Sequence, residues 1–131
     1  MNQSDKELLL KDLSARIGFG TMVNEPVQGD FELIGVVRDR IITTCEEEGK
    51  MNDFPVELVR PYLRPLSSMT SSEQEELTEL SGHAAYRTYM YLGDGTYEIY
   101  YGTMSNVIDW MRTKQFDHNG LIPKGLAIEK K

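Results

Sequence analysis

The first stretch of the chain carries its apolar residues on one helical stripe. Leu9, Leu10, Leu13 and Ile17 recur at steps of three and four, which predicts a helix from about Asp5 to Arg16. Ser4 and Glu7 stand at capping-box spacing before it, and Gly18 and Gly20 supply the left-handed conformations that end it. The pattern then shortens. Phe19 to Val23 is a β-prone run closed by Asn24-Glu25-Pro26, and Phe31 to Val37 follows the Gln28-Gly29-Asp30 turn. Arg38-Asp39-Arg40 is a tight turn into the β-branched run Ile41 to Cys45. Glu46 to Lys50 is a solvated loop. Phe54 to Val59 is then a short strand or single turn, which Pro61 interrupts.

Beyond Pro65 the chain reads as helical again. Thr70 and Glu73 repeat the capping-box spacing, Leu77 and Leu80 mark an apolar side, and Gly82 is the stop. Tyr86 to Leu92 and Thr96 to Tyr101 flank Gly93-Asp94-Gly95, a hairpin pattern, although Ala84 to Met90 also suits an extension of the helix. Ser105 is placed to cap a last helix whose apolar face holds Val107, Ile108 and Met111, with Trp110 at its flank and Gly120 closing the region. Ile122-Pro123-Lys124-Gly125 fits a turn with proline second and glycine fourth, and Leu126-Ala127-Ile128 is a closing strand or an extended tail. The expected fold is α+β: an N-terminal helix, a small and strongly curved antiparallel sheet for which an SH3-like barrel is one plan, then helices and a β-hairpin. No repeat or linker divides residues 1–131, so a single domain is expected.

Composition narrows the partners. The chain has 14 Lys+Arg against 21 Asp+Glu, a net charge of −7, which argues against general binding to nucleic-acid backbones or anionic membranes. Cys45 is the single cysteine, so no intramolecular disulfide forms. The polar start, Met1 to Glu7, lacks the order of a signal peptide, and Leu33 to Val37 is too short to cross a bilayer. A cytoplasmic setting is the expectation.

Three segments carry a resemblance. Lys6-Glu7-Leu8-Leu9-Leu10-Lys11-Asp12-Leu13-Ser14-Ala15-Arg16 is the first and the least specific. Val59-Arg60-Pro61-Tyr62-Leu63-Arg64-Pro65-Leu66-Ser67-Ser68-Met69-Thr70 is the second. The third is Val107-Ile108-Asp109-Trp110 followed by Phe116-Asp117-His118-Asn119-Gly120-Leu121-Ile122-Pro123-Lys124-Gly125-Leu126-Ala127. Together they resemble a family of short uncharacterised proteins encoded in prophages and other mobile elements of Bacteroides-type gut bacteria. The resemblance spans most of the chain, apart from about Ser81 to Thr103. It implies a phage or mobile-element origin and no activity.

Candidate chemistry is sparse. Cys45, His83 and His118 are too far apart in sequence for a zinc site, so no metal or cofactor is expected. Cys45 lies in a strand-like run, where an inert thiol is the ordinary outcome. Asp117-His118-Asn119 has the composition of an acid orienting a base, yet sequence neighbours rarely point at one another, so a structural role is favoured. Gly18-Phe19-Gly20 is too short for a phosphate loop. The proline-stiffened segment from Tyr62 to Met69 offers Tyr62 and Arg64 as partner-binding residues, and Tyr89, Tyr91 and Tyr100 offer an aromatic strip for a partner or a second copy. The bland alternative is that Tyr62, Leu63 and Leu66 cover the sheet and pin the second helix.

The leading expectation is a non-catalytic module that binds a host or phage protein, or itself. An acidic mimic of nucleic acid that inhibits a host protein is the first alternative. A small enzyme using His118 and Asp117 is the second. Nucleic-acid binding is a further one, and it needs Arg38, Arg40, Arg60 and Arg64 to converge.

Overall fold

A computed structural model describes residues 1–88 and 104–130 of the chain. Helix α1 spans Gln3–Ala15. Its cap is Asn2, not Ser4: Asn2 is extended, and its side chain accepts the Asp5 amide at 2.7 Å. Asparagine caps as well as serine does, and starting the helix earlier puts Ser4 inside the first turn. Leu9 and Leu13 are fully buried, while Ile17 lies past the helix end and is 40% exposed. Gly18 and Gly20 have φ of 90° and 73°, the left-handed turn that redirects the chain into the sheet.

Six strands follow: β1 Met22–Glu25, β2 Gly29–Val37, β3 Arg40–Thr44, β4 Met51–Pro55, β5 Arg60–Leu63 and β6 Ile128–Glu129. They form one sheet in the order β4-β3-β2-β1-β5-β6, antiparallel except for the parallel pair β5–β6. Strand β2 serves both halves of the sheet. Its start pairs with β1, its end pairs with β3, and the register shifts between Leu33 and Gly35. A bulge of that kind bends a strand and increases its twist. Phe31 and Phe54, from opposite ends of this curve, bring their rings to 6.0 Å. The β2–β3 hairpin turns on Arg38-Asp39, with Arg38 at φ 58°.

Pro61 does not end a segment as its sequence context suggests. After a 3-10 turn at Val56–Leu58, it lies within β5 opposite Val23. Proline is tolerated there because the β1–β5 ladder covers only Val23↔Pro61 and Asn24↔Arg60, after which β5 pairs with β6 from Tyr62 onward. The sheet is curved but open, so a closed barrel is not formed. The far side of β5 is taken by β6, and among the described residues β4 and β6 are the edges.

A second 3-10 turn, Leu66–Ser68, leads to α2 at Ser71–Thr88. Its capping box is as read from sequence: the Glu73 amide donates to Thr70 Oγ1 at 3.1 Å, and the Thr70 amide donates to Glu73 Oε1 at 3.0 Å. Gly82 does not stop this helix. One glycine costs about 1 kcal/mol of helix propensity, less than the good helix formers around it supply. Tyr86 to Thr88 are therefore helical, as the alternative reading allowed. The rest of the expected hairpin, with Tyr89, Tyr91 and Tyr100, lies outside the described residues. Helix α3 is Met104–Thr113, starting one residue before the expected Ser105 cap. The turn at Ile122–Gly125 forms as expected, with the Gly125 amide donating to Ile122 O at 3.0 Å.

Two apolar clusters result. Leu9 and Leu13 of α1 pack on Val23, Leu33, Ile41 and Leu63 of the sheet, and Leu121 and Leu126 complete that cluster. Leu66, Leu77, Val107, Trp110, Met111 and Phe116 form the other beneath α2 and α3. Trp110 belongs to this core rather than to its flank. Leu63 and Leu66 are buried on the inner side as anticipated, whereas Tyr62 is only half-buried. Urea denaturation should separate the two ends of the first stripe. Leu13→Ala is expected to cost about 2–5 kcal/mol and Ile17→Ala less than about 1 kcal/mol, because only the former leaves a cavity.

Candidate functional site

Asp12 and Arg16 stand one turn apart, a spacing that usually makes a solvated pair on a helix face. Here both side chains are completely buried. Arg16 Nε donates to Asp12 Oδ2 at 2.7 Å, and Nη2 reaches Asp12 Oδ1 at 3.3 Å. The same Nη2 donates to the carbonyl of Phe116 at 2.7 Å and lies 3.3 Å from His118 Nδ1. Asn119 Nδ2 donates to Asp12 Oδ1 at 2.6 Å. One ion pair at the end of α1 thus holds Phe116, His118 and Asn119, about a hundred positions later.

His118 lies with its Nδ1 beside the guanidinium, in a buried and positively charged setting. Burial, helped by the Arg16 charge, pulls the His118 pKa down to about 4, so the ring is neutral at pH 7. Asp117 does not orient it. Its two oxygens accept the amides of Leu121 and Ile122, each at 2.8 Å, and pin the following turn instead. Burial pushes the Asp117 carboxyl up, against the opposite pull of those amides. The triplet with enzyme-like composition is spent on internal bonds.

Gln115 fastens the same region to the loop after α1. Its backbone is left-handed at φ 64°, its side-chain Nε2 donates to Phe19 O at 2.7 Å, and its Oε1 accepts from Thr21 Oγ1 at 2.7 Å. Nothing in the sequence marked Gln115, because both partners lie more than ninety positions away.

Tyr62 and Arg64 are not brought into one site. The Tyr62 hydroxyl donates to Asp30 Oδ1 at 2.8 Å, where Asn24 Nδ2 also donates, and these bonds hold the Asp30 carboxyl below its ordinary range. Arg64 makes a two-pronged pair with Glu73 at 2.7 and 2.8 Å, and its guanidinium lies 4.3 Å from the Phe116 ring centre. The Arg64 partnership holds Glu73 down at about 2. Phe116 in turn stacks on Trp110 at 5.7 Å, and the Trp110 indole N–H donates to Glu76. Arg40 is paired with Asp53 at 2.7 Å, so two of the four arginines singled out for a basic patch have carboxylate partners. Cys45 is half-buried with a free thiol. Among the described residues no three His, Cys, Asp or Glu side chains are placed to hold a metal, and no helix is long and apolar enough to cross a membrane. An open cleft of about 420 Å³ is lined by Arg64, Pro65, Ser68, Glu129 and Lys130, away from the Asp12–Arg16 pair.

Two measurements test this joint. Asp12→Asn and Arg16→Met should each cost about 3–5 kcal/mol, because each strands a buried partner, and the double variant should lose far less than the sum. Additive losses in denaturant titrations would contradict the coupling. The second concerns acid. Between pH 6.5 and 4 the unfolded chain binds a proton at His118 that the folded chain refuses, so stability is full above 6.5 and falls by up to roughly 3 kcal/mol as pH drops to 4. Asp117 has the opposite sign, since its raised carboxyl is relieved by acid. Stability measured against pH should therefore decline below 6.5 in the parent, and His118→Gln should flatten that decline between pH 6.5 and 5.

Compared with protein-family models, curated proteins and solved structures, the chain matches none, and the role of this joint rests on its geometry.

Proposed function

We propose that the chain is a non-catalytic protein-binding module, an accessory protein of a phage or other mobile element whose partner is a host or phage protein. The observation that carries this reading is the open edge of the sheet. β4 is five residues long, pairs on one side only among the described residues, and begins at Met51, which has two-thirds of its surface exposed. An unpaired edge presents a row of amides and carbonyls that a strand of another chain can complete. Against catalysis stands the use of Asp117, His118 and Asn119 as internal ties. The mobile-element setting is what the resemblance of the three sequence segments implies.

The acidic-mimic reading has one observation in its favour, the net charge of −7. Salt separates the two. Affinity capture with the tagged chain from a Bacteroides-type host lysate should recover one protein at near-equal amount in low and high salt. Met51→Lys, a surface change at the edge, should lose it, since lysine on an edge strand discourages pairing. A partner held only at low salt, and retained by Met51→Lys, would favour the acidic mimic. Recovery of nothing but the chain itself would point to self-association through the same edge.

A further inference from the structure

The joint between α1 and the C-terminal segment contains a chemically unstable bond. Asn119 is the one asparagine followed by glycine; Asn2, Asn24, Asn52 and Asn106 precede Gln3, Glu25, Asp53 and Val107. Asn119 is exposed to water, and Gly120 sits at φ 72° with no atom within 4 Å of the position a Cβ would occupy. A glycine amide carries no side chain to shield it, so its nitrogen reaches the preceding asparagine carbonyl more easily than that of any other residue.

We propose that Asn119 is a site of spontaneous deamidation that works as an age-dependent release of the α1 clamp. The Gly120 nitrogen attacks Asn119 Cγ, forming the new C–N bond. The Cγ–Nδ2 bond breaks, and Nδ2 leaves as ammonia with the proton from the Gly120 amide. Water then opens the succinimide at either carbonyl, giving aspartate or isoaspartate. No oxidant or reductant is involved.

The structure gives this reaction a consequence that an exposed loop elsewhere would not have. Asn119 Nδ2 donates to Asp12 Oδ1 at 2.6 Å, so conversion replaces a donor with a carboxylate facing a carboxylate. Asp12 is the counter-charge of the fully buried Arg16, which itself holds Phe116 O. The isoaspartyl product also lengthens the main chain by one methylene just before Leu121 and Ile122, the two amides that Asp117 grips. The hydrogen bond to Asp12 is at the same time a brake, because the amide must leave it before Gly120 can attack.

The test is to age the purified chain at mildly alkaline pH, with and without urea, and follow each asparagine by peptide mass spectrometry. Asn119 should convert several-fold faster than the other four, and more slowly in the folded chain than in urea. The aged, more acidic fraction, separated by ion exchange, should unfold at a lower denaturant midpoint than the unaged fraction. Asn119→Gln should resist ageing, and Asn119→Asp should reproduce the loss. Should Asn119→Asp fail to fold, the aged fraction decides alone. An intact Asn119 in the folded chain over a period that converts it in urea would overturn the proposal. So would an aged fraction with an unchanged midpoint.

Discussion

A guanidinium with no exposed surface must find all its compensation inside the protein, and Arg16 sets that requirement for the whole fold. Removing such a charge from water costs several kcal/mol, returned only when the partners are close and well aligned. Asp12 supplies the counter-charge from the same helix, which costs nothing in chain topology. Phe116 O accepts from Nη2 and His118 Nδ1 lies 3.3 Å from it, while Nη1 has no partner among the described residues; these contacts bring the C-terminal segment against α1. Once that segment is fixed, Leu121 and Leu126 fall into the cluster beneath α1, and Ile128 reaches β5. A hydrophobic pair of similar volume could stabilise the helix equally well. It would not demand one particular backbone carbonyl, and the polar joint therefore specifies register where apolar packing would allow slippage.

A second anchor uses the same short segment from its other side. Gln115 O accepts the Arg64 amide at 2.7 Å, and the Asp117 amide donates to Arg64 O at 2.8 Å, which extends the sheet beyond β5 by a bridge at Phe116. The Phe116 ring meanwhile lies between the Arg64 guanidinium and Trp110. Residues 115–117 thus join both apolar clusters. Their backbone belongs to the sheet, the Gln115 side chain to the loop after α1, and the Phe116 side chain to the α2–α3 layer. The left-handed Gln115 is the geometric condition for this, because the chain must leave α3 and enter the sheet within two residues.

What the sequence disclosed was local. The Leu9–Leu13 stripe, the Thr70–Glu73 capping box and the Ile122–Gly125 turn each depend on residues within five positions, and each is read correctly from spacing. The failures have physical causes of two kinds. Some are competitions between near-equal local terms: Asn2 against Ser4 as a cap, or Gly82 inside a helix rather than at its end. Others are settled by distant partners. Nothing local marks Asp12 and Arg16 as buried, because their burial depends on a segment a hundred positions later. Pro61 looks like a breaker because nothing nearby reveals that its ladder is only two residues long. β6, which sequence left undecided between a strand and a tail, likewise forms only against β5.

Among the described residues the two edges of the sheet are treated unequally. The β5 side is sealed by pieces of the C-terminal segment, with Lys130 N donating to Leu63 O at 2.6 Å and the bridge at Phe116 beside it. The β4 side has no such cover from its own chain among the described residues, yet it is not wholly unguarded. Asp53 with Arg40 places charge along it, and Pro55 ends it, two devices that keep an edge from pairing indiscriminately. The buried joint complements it from the other side of the fold. By fixing α1 and the C-terminal segment to one register, it holds Leu9 and Leu13 against the sheet.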